Sequence, residues 1–417
     1  MNRKLFTQSA GRMTRRSFTA GAAATTALIA SPSIVRAQGG ALKVGVLLPR
    51  SGAQAGIGQD CHRGVELANP IFKSLGLPEL QIMSADTETN VEVARARAEK
   101  LISDGAQLLV GAFDSGQTTA IAQVAEQKGI PLVINIAAAP PITEQGYKFV
   151  FRNFATGPML VRNGLGLIKE LFVATGTTPK TAVFMHVNDT FGTAMQKGVG
   201  ALFPKMEMPF EIVETIAYDE KAKDLSVEVA KAKATGAEIL LPVSHGADAI
   251  MLVREMVKQR WEPMGIMTPG SPGVYEQQFY KTLGKYSEYV IANVPWIDPN
   301  KAMSKTLAEA FAKAFPDDML ELNVGFSFEA LLIAADAHKR AGSADPTALA
   351  DALRATRIDE HVMVGGPIQF NEKGQNVNIQ SATLQNLDRQ PKVVLPKASA
   401  AAEPVFPMPG WNDPKRA

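Results

Sequence analysis

The chain has 417 residues, of which 46% are hydrophobic and 20% charged, and its 43 basic side chains nearly balance its 41 acidic ones. Such a length is typical of two or three domains, and the net charge of +2 gives no bulk attraction to nucleic acid or to an anionic membrane. The single cysteine, Cys61, excludes an internal disulfide, and no cluster of histidines accompanies it to form a zinc site.

Residues 1–37 have the pattern of a twin-arginine export signal. Arg15-Arg16-Ser17-Phe18 precedes an apolar stretch, and Val35-Arg36-Ala37 has the small residues of a cleavage site. The stretch of roughly 11 apolar residues is too short to span a bilayer stably. We therefore expect export to the periplasm and cleavage after about Ala37, without a lipid anchor, because no cysteine follows the cleavage site. The alternative is a cytosolic protein with a basic amphipathic start.

Short β-branched apolar runs then alternate with helical periodicities, a pattern that predicts parallel sheets covered by helices. Residues 42–48 predict the first strand, Asn90 a helix cap, and residues 108–111 a further strand. A predicted helix over residues 116–128 ends at Gly129, and a strand over residues 130–134 follows it.

The alternation restarts after residue 158. Strands are predicted at 181–185, 212–217, 238–241 and 265–268, with helices at 159–174, 192–203, 225–234 and 247–259. Helices at 301–315, 324–341 and 346–355 precede extended pieces at 368 and 379–387. The sequence therefore predicts two doubly wound α/β lobes, one of residues 38–156 and 295–378 and the other of residues 157–294 and 379–395. Residues 396–417, rich in Ala and Pro without periodicity, are predicted to form a loosely ordered tail.

Sequence patterns of enzymes are missing. Gly56-Ile57-Gly58-Gln59-Asp60-Cys61 ends in Cys where a dinucleotide loop needs Gly or Ala, and no phosphate-binding loop occurs. Neither Ser115 nor Ser271 has the glycine spacing of a nucleophile elbow. The histidines do not pair at metal-ligand spacing: His62, His186, His245, His338 and His361. We predict a protein that is not an enzyme and that holds no cofactor or metal.

A binding feature lies where the strand at 108–111 leads into a helix. Asp114, Ser115 and Gly116 start this helix at the carboxyl edge of the predicted sheet. Backbone N–H groups and the helix dipole favour an anion at such a place, so the segment predicts a carboxylate site. The alternative is that Asp114 or Ser115 is an ordinary helix cap.

From residue 42 to about 387, the order of motifs resembles the periplasmic binding proteins of the leucine/isoleucine/valine type, which supply ligand to ABC transporters. The resemblance is carried by these segments: Lys43-Val44-Gly45-Val46, Ser51-Gly52 with Gly58, Val110-Gly111 with Ser115, Gly146-Tyr147 to Phe151-Arg152, Asn188-Asp189-Thr190-Phe191-Gly192 and Gly366-Pro367-Ile368. It implies two Rossmann-like lobes that are joined by a three-strand hinge and close on a ligand.

The resemblance also implies which residues hold the ligand. In amino-acid-binding members, a Ser at the place of Ser115 and a Thr further on hold the carboxylate, while backbone carbonyls and a Glu of the second lobe hold the ammonium. Here the Thr place falls on Ala138, next to Ala137, and the Glu place falls near Gly270. A buried ammonium without a carboxylate partner is costly. We therefore expect an aromatic, keto or branched acid rather than a free α-amino acid.

The same resemblance places Ile57, Phe191 and His245 in the pocket wall, with Arg50 as a further acid-binding candidate. The alternatives are a helix cap for His245 and a rim position for Arg50. Glu88 and Asp114 occupy the places of the family's usual disulfide. The implied partner is an inner-membrane ABC permease, and a monomer is expected. The competing functions are a ligand-sensing periplasmic module and a true branched-chain amino-acid binder.

Overall fold

The first sheet has five strands, all parallel, in the computed structural model, which describes residues 41–416. The export signal expected at residues 1–37 lies outside the described residues. The sheet has the order β2-β1-β3-β4-β5. Its part of the chain contains β1 (Lys43–Leu48), α1 (Ala55–Ser74), β2 (Gln81–Asp86), α2 (Val91–Ser103), β3 (Leu108–Gly111), α3 (Ser115–Lys128), β4 (Leu132–Ile134) and β5 (Val150–Arg152).

The second sheet has seven strands. Its first segment contains α4 (Gly157–Thr175), β6 (Thr181–Val187), α5 (Thr190–Leu202), β7 (Glu211–Tyr218), α6 (Ser226–Ala234), β8 (Ile239–Val243), α7 (Gly246–Lys258), β9 (Gly265–Thr268), α8 (Gln277–Leu283) and β10 (Ile291–Val294). The chain then forms α9 (Ala302–Ala314), α10 (Leu322–Ala341), α11 (Pro346–Arg354), β11 (Arg357–Ile358), β12 (Ile368–Gln369), β13 (Ala382–Leu387) and β14 (Gln390–Leu395). The order is β14-β13-β10-β9-β8-β6-β7, in which β13 pairs antiparallel with both of its neighbours.

Local sequence signals explain several of these elements. The Asn90 side chain accepts hydrogen bonds from the N–H groups of Glu92 and Val93, as the predicted cap of α2 requires. Gly129 ends α3 in the left-handed conformation, with φ at 63°. The buried helix α10 packs on α1 and against β3 and β4, so it covers the first sheet although it follows strands β6 to β10 of the second sheet in sequence. The predicted fold class, two doubly wound α/β lobes, is confirmed.

The chain passes between the two sheets three times: after β5, after β10 and before β13. These crossovers are tied together by isolated bridges that join Arg152 to Gln375 and Gly365 to Ile379. The fully buried carboxylate of Glu329 on α10 accepts hydrogen bonds from the Asn153 side chain (2.7 Å) and from the Met363 N–H (2.9 Å). A buried carboxylate with several donors is well satisfied, so the hinge strands are fixed to α10.

The end of the chain differs from the expected loose tail. Phe406, Met408 and Trp411 are buried, and the indole N–H of Trp411 donates to the Trp261 carbonyl oxygen at 2.8 Å. The guanidinium of Arg416 stacks on the Trp411 ring, 4.6 Å from its centroid. The prediction was wrong because separate aromatic and apolar side chains anchor this segment, although it forms no α-helix or strand between Leu395 and Arg416. Within residues 41–416, every helix is too short or too polar to span a bilayer.

Candidate functional site

A pocket of about 430 Å³ lies between the two lobes, where loops from the carboxyl ends of strands in both sheets meet. Ligands of open α/β sheets bind at such edges. The residues that line it are Phe113, Asp114, Ser115, Ile136, Ala137, Ala138, Phe154, Phe191, His245, Gly270, Pro272, Tyr275, Val294, Leu322 and Asn323.

Ser115 is the first residue of α3, and its buried hydroxyl oxygen accepts hydrogen bonds from the N–H groups of Ala138 (3.2 Å) and Ala139 (3.3 Å). Both contacts use the oxygen as an acceptor, so the hydroxyl hydrogen remains to be donated. Asp114 caps α3 by accepting from the N–H of Gln117 at 2.8 Å. The N–H group of Ser115 finds no acceptor among the described residues. This end of the pocket therefore offers hydrogen-bond donors to an anion.

The wall formed by Ala137, Ala138 and Ala139 is held by Arg152, a fully buried residue of β5. One terminal nitrogen of Arg152 donates to the carbonyl oxygens of Ala137 (3.0 Å) and Ala139 (2.7 Å), and the other donates to the Thr143 hydroxyl. Burial lowers the pKa of Arg152 to about 9, so the side chain stays charged at neutral pH. Because these bonds fix the carbonyl groups, they also aim the Ala138 and Ala139 N–H groups at Ser115.

His245 and Asp189 form an ion pair on the side of the second lobe, with 2.7 Å between Nε2 and Oδ2. Burial alone lowers the pKa of His245, but the hydrogen bond and charge of Asp189 outweigh it and raise the pKa to about 9. The charges of Asp248 and Asp114 act in the same direction. The pKa of Asp189 lies below its usual value because the bond from His245 overcomes the effect of burial. The pocket thus contains an imidazolium at neutral pH.

The alternative interpretation of His245 as a helix cap is correct in position. His245 is the N-cap residue of α7, and its backbone N–H donates to the Asp248 carboxylate at 2.9 Å. Its ring nitrogen Nδ1 is buried and lacks a hydrogen-bond partner among the described residues. The residue therefore combines a capping position with a ring that lines the pocket.

Aromatic rings form the apolar side of the pocket. The Phe191 and His245 ring centroids are 5.5 Å apart, and Phe113 of the first lobe lies 6.4 Å from His245. Phe113 has a φ of 73°, in the left-handed region that residues other than glycine adopt rarely. Such backbone strain concentrates at functional sites. In this protein the residue with the strained backbone, Phe113, places its ring at the junction of the lobes.

Gly270 lines the pocket at the place where the family resemblance expects the ammonium-binding Glu. Its φ is 126°, and an added Cβ would lie 2.7 Å from the Cβ of Leu160. A side chain at this position would be strained and would collide with α4. The residue at the Thr place, Ala138, contributes its N–H to Ser115 and no side-chain hydroxyl.

Other predicted site residues lie elsewhere. Gly116 lines a larger neighbouring cleft of about 1530 Å³ rather than the pocket itself. Ile57 is buried in the core of the first lobe. Arg50 lies near His62: burial lowers the pKa of that imidazole, and the charge of Arg50 lowers it further. Neither Ile57 nor Arg50 lines the pocket.

Sequence reasoning missed several lining residues: Phe113, Ile136, Phe154, Pro272, Tyr275, Val294, Leu322 and Asn323. Phe113 and Ile136 lie next to Asp114 and Ala137, which the sequence analysis had selected, and each follows a strand closely. Their positions after the strands could therefore have predicted that they line the pocket. Tyr275 and Asn323 come from segments that are far apart in sequence and carry no local motif. Only the tertiary structure brings them together.

Asp114, Asp189 and His245 each offer one donor atom within 4.8 Å of the others, a spacing that a metal ion could bridge. The oxygens of Asp114 are bound to the Gln117 N–H and the Gln54 side chain, and those of Asp189 to the Gly192 N–H and His245. These oxygens are therefore engaged in two separate hydrogen-bonded groups that face each other across the lobes, Asp114 in the first lobe and Asp189 with His245 in the second.

A sequence comparison identifies the protein family. The sequence model of the periplasmic binding protein family matches residues 41–391. The chain belongs to the periplasmic binding proteins. A leucine-, isoleucine-, valine-, threonine- and alanine-binding protein from Pseudomonas aeruginosa is 26% identical over 340 residues, which cover 81% of this chain and 87% of that protein.

Solved structures share the fold. A leucine-binding protein from Thermotoga maritima has a TM-score of 0.73 at 17% identity, covering 84% of this chain and 97% of that one. A solute-binding protein of an ABC transporter from R. palustris, solved in complex with benzoate, has a TM-score of 0.72 at 22% identity, covering 88% of this chain and 98% of that one. The predicted resemblance to the leucine/isoleucine/valine-binding type is thereby confirmed.

Proposed function

We propose that this protein is the solute-binding component of an ABC uptake transporter and that it binds a small carboxylate without an adjacent amine between its lobes. The observation that carries the proposal is the Ser115 hydroxyl, which accepts two backbone hydrogen bonds and so has its hydrogen left for the ligand. The helix start at Ser115 adds positive potential to the same pocket, and His245, whose charge is balanced by Asp189, has a buried Nδ1 without a partner among the described residues that can serve as a further donor. An anion is the ligand that such a set of donors favours.

The case against an α-amino acid rests on the partners that an ammonium would need. Ala138 and Gly270 bring no side-chain acceptor into the pocket, and Gly270 could not carry a longer side chain without a collision. The nearby carboxylates of Asp114 and Asp189 already accept hydrogen bonds at both oxygens. These carboxylates are therefore already engaged by protein donors, and an ammonium that is buried without a carboxylate partner of its own is costly.

Three phenylalanine rings favour a flat apolar body on the ligand: Phe113, Phe154 and Phe191. The benzoate complex of a protein with the same fold agrees with an aromatic acid, and keto or branched acids have the same acid group with a smaller body. The names of the relatives favour the second candidate, a branched-chain amino acid. The two candidates differ in the amine, and this difference can be measured.

The mechanism is closure of the two lobes on the ligand. The ligand docks on the first lobe at Ser115, and Phe191 and His245 of the second lobe close over it, while the bridged crossovers act as the hinge. The closed form then presents a surface of both lobes to the inner-membrane permease. We expect a monomer that works in the periplasm.

A thermal-shift screen of the purified protein tests the proposal. The panel contains leucine, valine, benzoate, the 2-oxo acid of leucine, short branched acids and their amides. A ligand at about 100 times its Kd adds about 2.7 kcal/mol to the free energy of unfolding. The proposal expects shifts with carboxylates that lack an amine, and a shift with leucine alone would refute it.

A further inference from the structure

Asn323 gives the pocket a second polar wall, which lies at the start of α10 and away from the helix that carries Ser115. The residue is fully buried and lines the pocket. Its side-chain nitrogen donates to Oε1 of Glu321 at 2.7 Å, which fixes the orientation of the amide. Its oxygen, Oδ1, has no hydrogen-bond partner among the described residues.

A buried amide oxygen without a donor is costly, and native proteins rarely leave one unpaired. Since the amide nitrogen already donates to Glu321 while the oxygen has no partner among the described residues, the oxygen is the atom of Asn323 that a pocket ligand would satisfy. A ligand that supplies an O–H or N–H group would satisfy it. A ligand with only apolar groups at this place would keep the oxygen unpaired.

The surroundings of Asn323 favour an uncharged donor over a cation. Glu321 is almost fully buried, and burial together with the neighbouring carboxyl groups of Asp60 and Glu276 raises its pKa well above the usual value. Behind Asn323, burial therefore disfavours the negative charge on Glu321 that would attract an ammonium.

We propose that the physiological ligand is an acid that also carries an uncharged hydrogen-bond donor, such as a hydroxyl group, and that Asn323 is the residue that selects it. This inference rests on the proposed function, because the carboxylate at Ser115 sets how the ligand lies in the pocket. Sites that hydrogen-bond a substrate hydroxyl discriminate strongly against analogues that lack it.

The test uses acids that differ only in one group. Benzoate, its three monohydroxy isomers and the three corresponding methylbenzoates are titrated calorimetrically into the wild-type protein. A methyl group has nearly the size of a hydroxyl but donates no hydrogen bond. At least one hydroxy isomer is expected to bind about ten-fold more tightly than its methyl counterpart.

The variant Asn323→Leu keeps the volume and removes the acceptor. It is expected to lose the hydroxyl preference and to bind the methyl acid at least as tightly as the wild type does. Ser327→Ala, on the same helix but outside the pocket, removes the hydroxyl that accepts from the Asn135 side chain and is expected to keep the preference. Circular dichroism melts report whether each variant is folded, and the wild-type titrations test the inference even if Asn323→Leu is not.

The outcomes separate this inference from the proposed function. If methylbenzoates and hydroxybenzoates bind equally to the wild type, or if Asn323→Leu keeps the preference, the inference is wrong while the carboxylate site stands. If none of the acids binds, the carboxylate site and the inference both fall.

Discussion

Replacing Ser115 with alanine removes the group on which the carboxylate site depends. In the structure its hydroxyl oxygen accepts from the N–H groups of Ala138 and Ala139, and its hydrogen is available to the ligand. A hydrogen bond to a charged group contributes about 1.5–3 kcal/mol, so Ser115→Ala should weaken carboxylate binding by about ten- to a hundred-fold. The two N–H groups would also lose their acceptor, which should lower the free energy of unfolding by about 1–3 kcal/mol.

Ser304→Ala is the matched control. Ser304 is also buried near the start of a helix, and its hydroxyl donates to the Val362 carbonyl oxygen at 2.9 Å, but it does not line the pocket. Its loss should lower stability without changing affinity. Isothermal titration calorimetry gives the Kd of each protein, and urea denaturation gives the free energy of unfolding. An unchanged Kd for Ser115→Ala would refute the proposed role of this hydroxyl.

Three further predictions concern stability. The pKa of His245 is raised from 6.5 to about 9, so its pairing with Asp189 stabilises the protein fully below pH ~6.5 and is lost as pH rises through about 9. Relative to His245→Gln, the wild-type free energy of unfolding in urea should fall by about 3 kcal/mol over this range. The same pH dependence in both proteins would contradict the pairing. Gly270→Ala should cost about 1–3 kcal/mol in thermal melts, because the new Cβ meets Leu160; an unchanged Tm would show that the loop adapts. Trp411→Ala should cost about 3–5 kcal/mol in denaturant melts, whereas a cost below about 1 kcal/mol would mean that the C-terminal segment is dispensable.

Much of the fold could be predicted from the sequence because its signals are local. The cap at Asn90 and the left-handed glycine at Gly129 fix helix ends by hydrogen bonds and backbone conformation within a few residues. The C-terminal segment gave no such signal, since Trp411 and Arg416 are held by stacking and by contacts with distant residues. Periodicity detects helices and strands and does not detect an irregular segment that is anchored by single side chains.

The site was predictable where it adjoins a strand end and not where it depends on distant packing. Ser115 lines the pocket because the turn after β3 ends at the sheet edge, and this follows from the order of elements. Phe113 lines it with a positive φ that no residue preference indicates. Asn323 belongs to a helix that begins more than 200 residues later in the chain, so only the assembled lobes place it in the pocket.

The central claim is that the pocket takes a carboxylate and rejects an adjacent ammonium, and a calorimetric comparison of leucine with 4-methylpentanoate tests it most directly. The two molecules share the carboxylate and the branched body and differ only in the amine. The structure predicts that 4-methylpentanoate binds more tightly than leucine, because Ala138 and Gly270 carry no side-chain acceptor at the two places where the family resemblance expects polar partners. Micromolar binding of leucine without measurable binding of 4-methylpentanoate would contradict the claim and identify a true amino-acid binder.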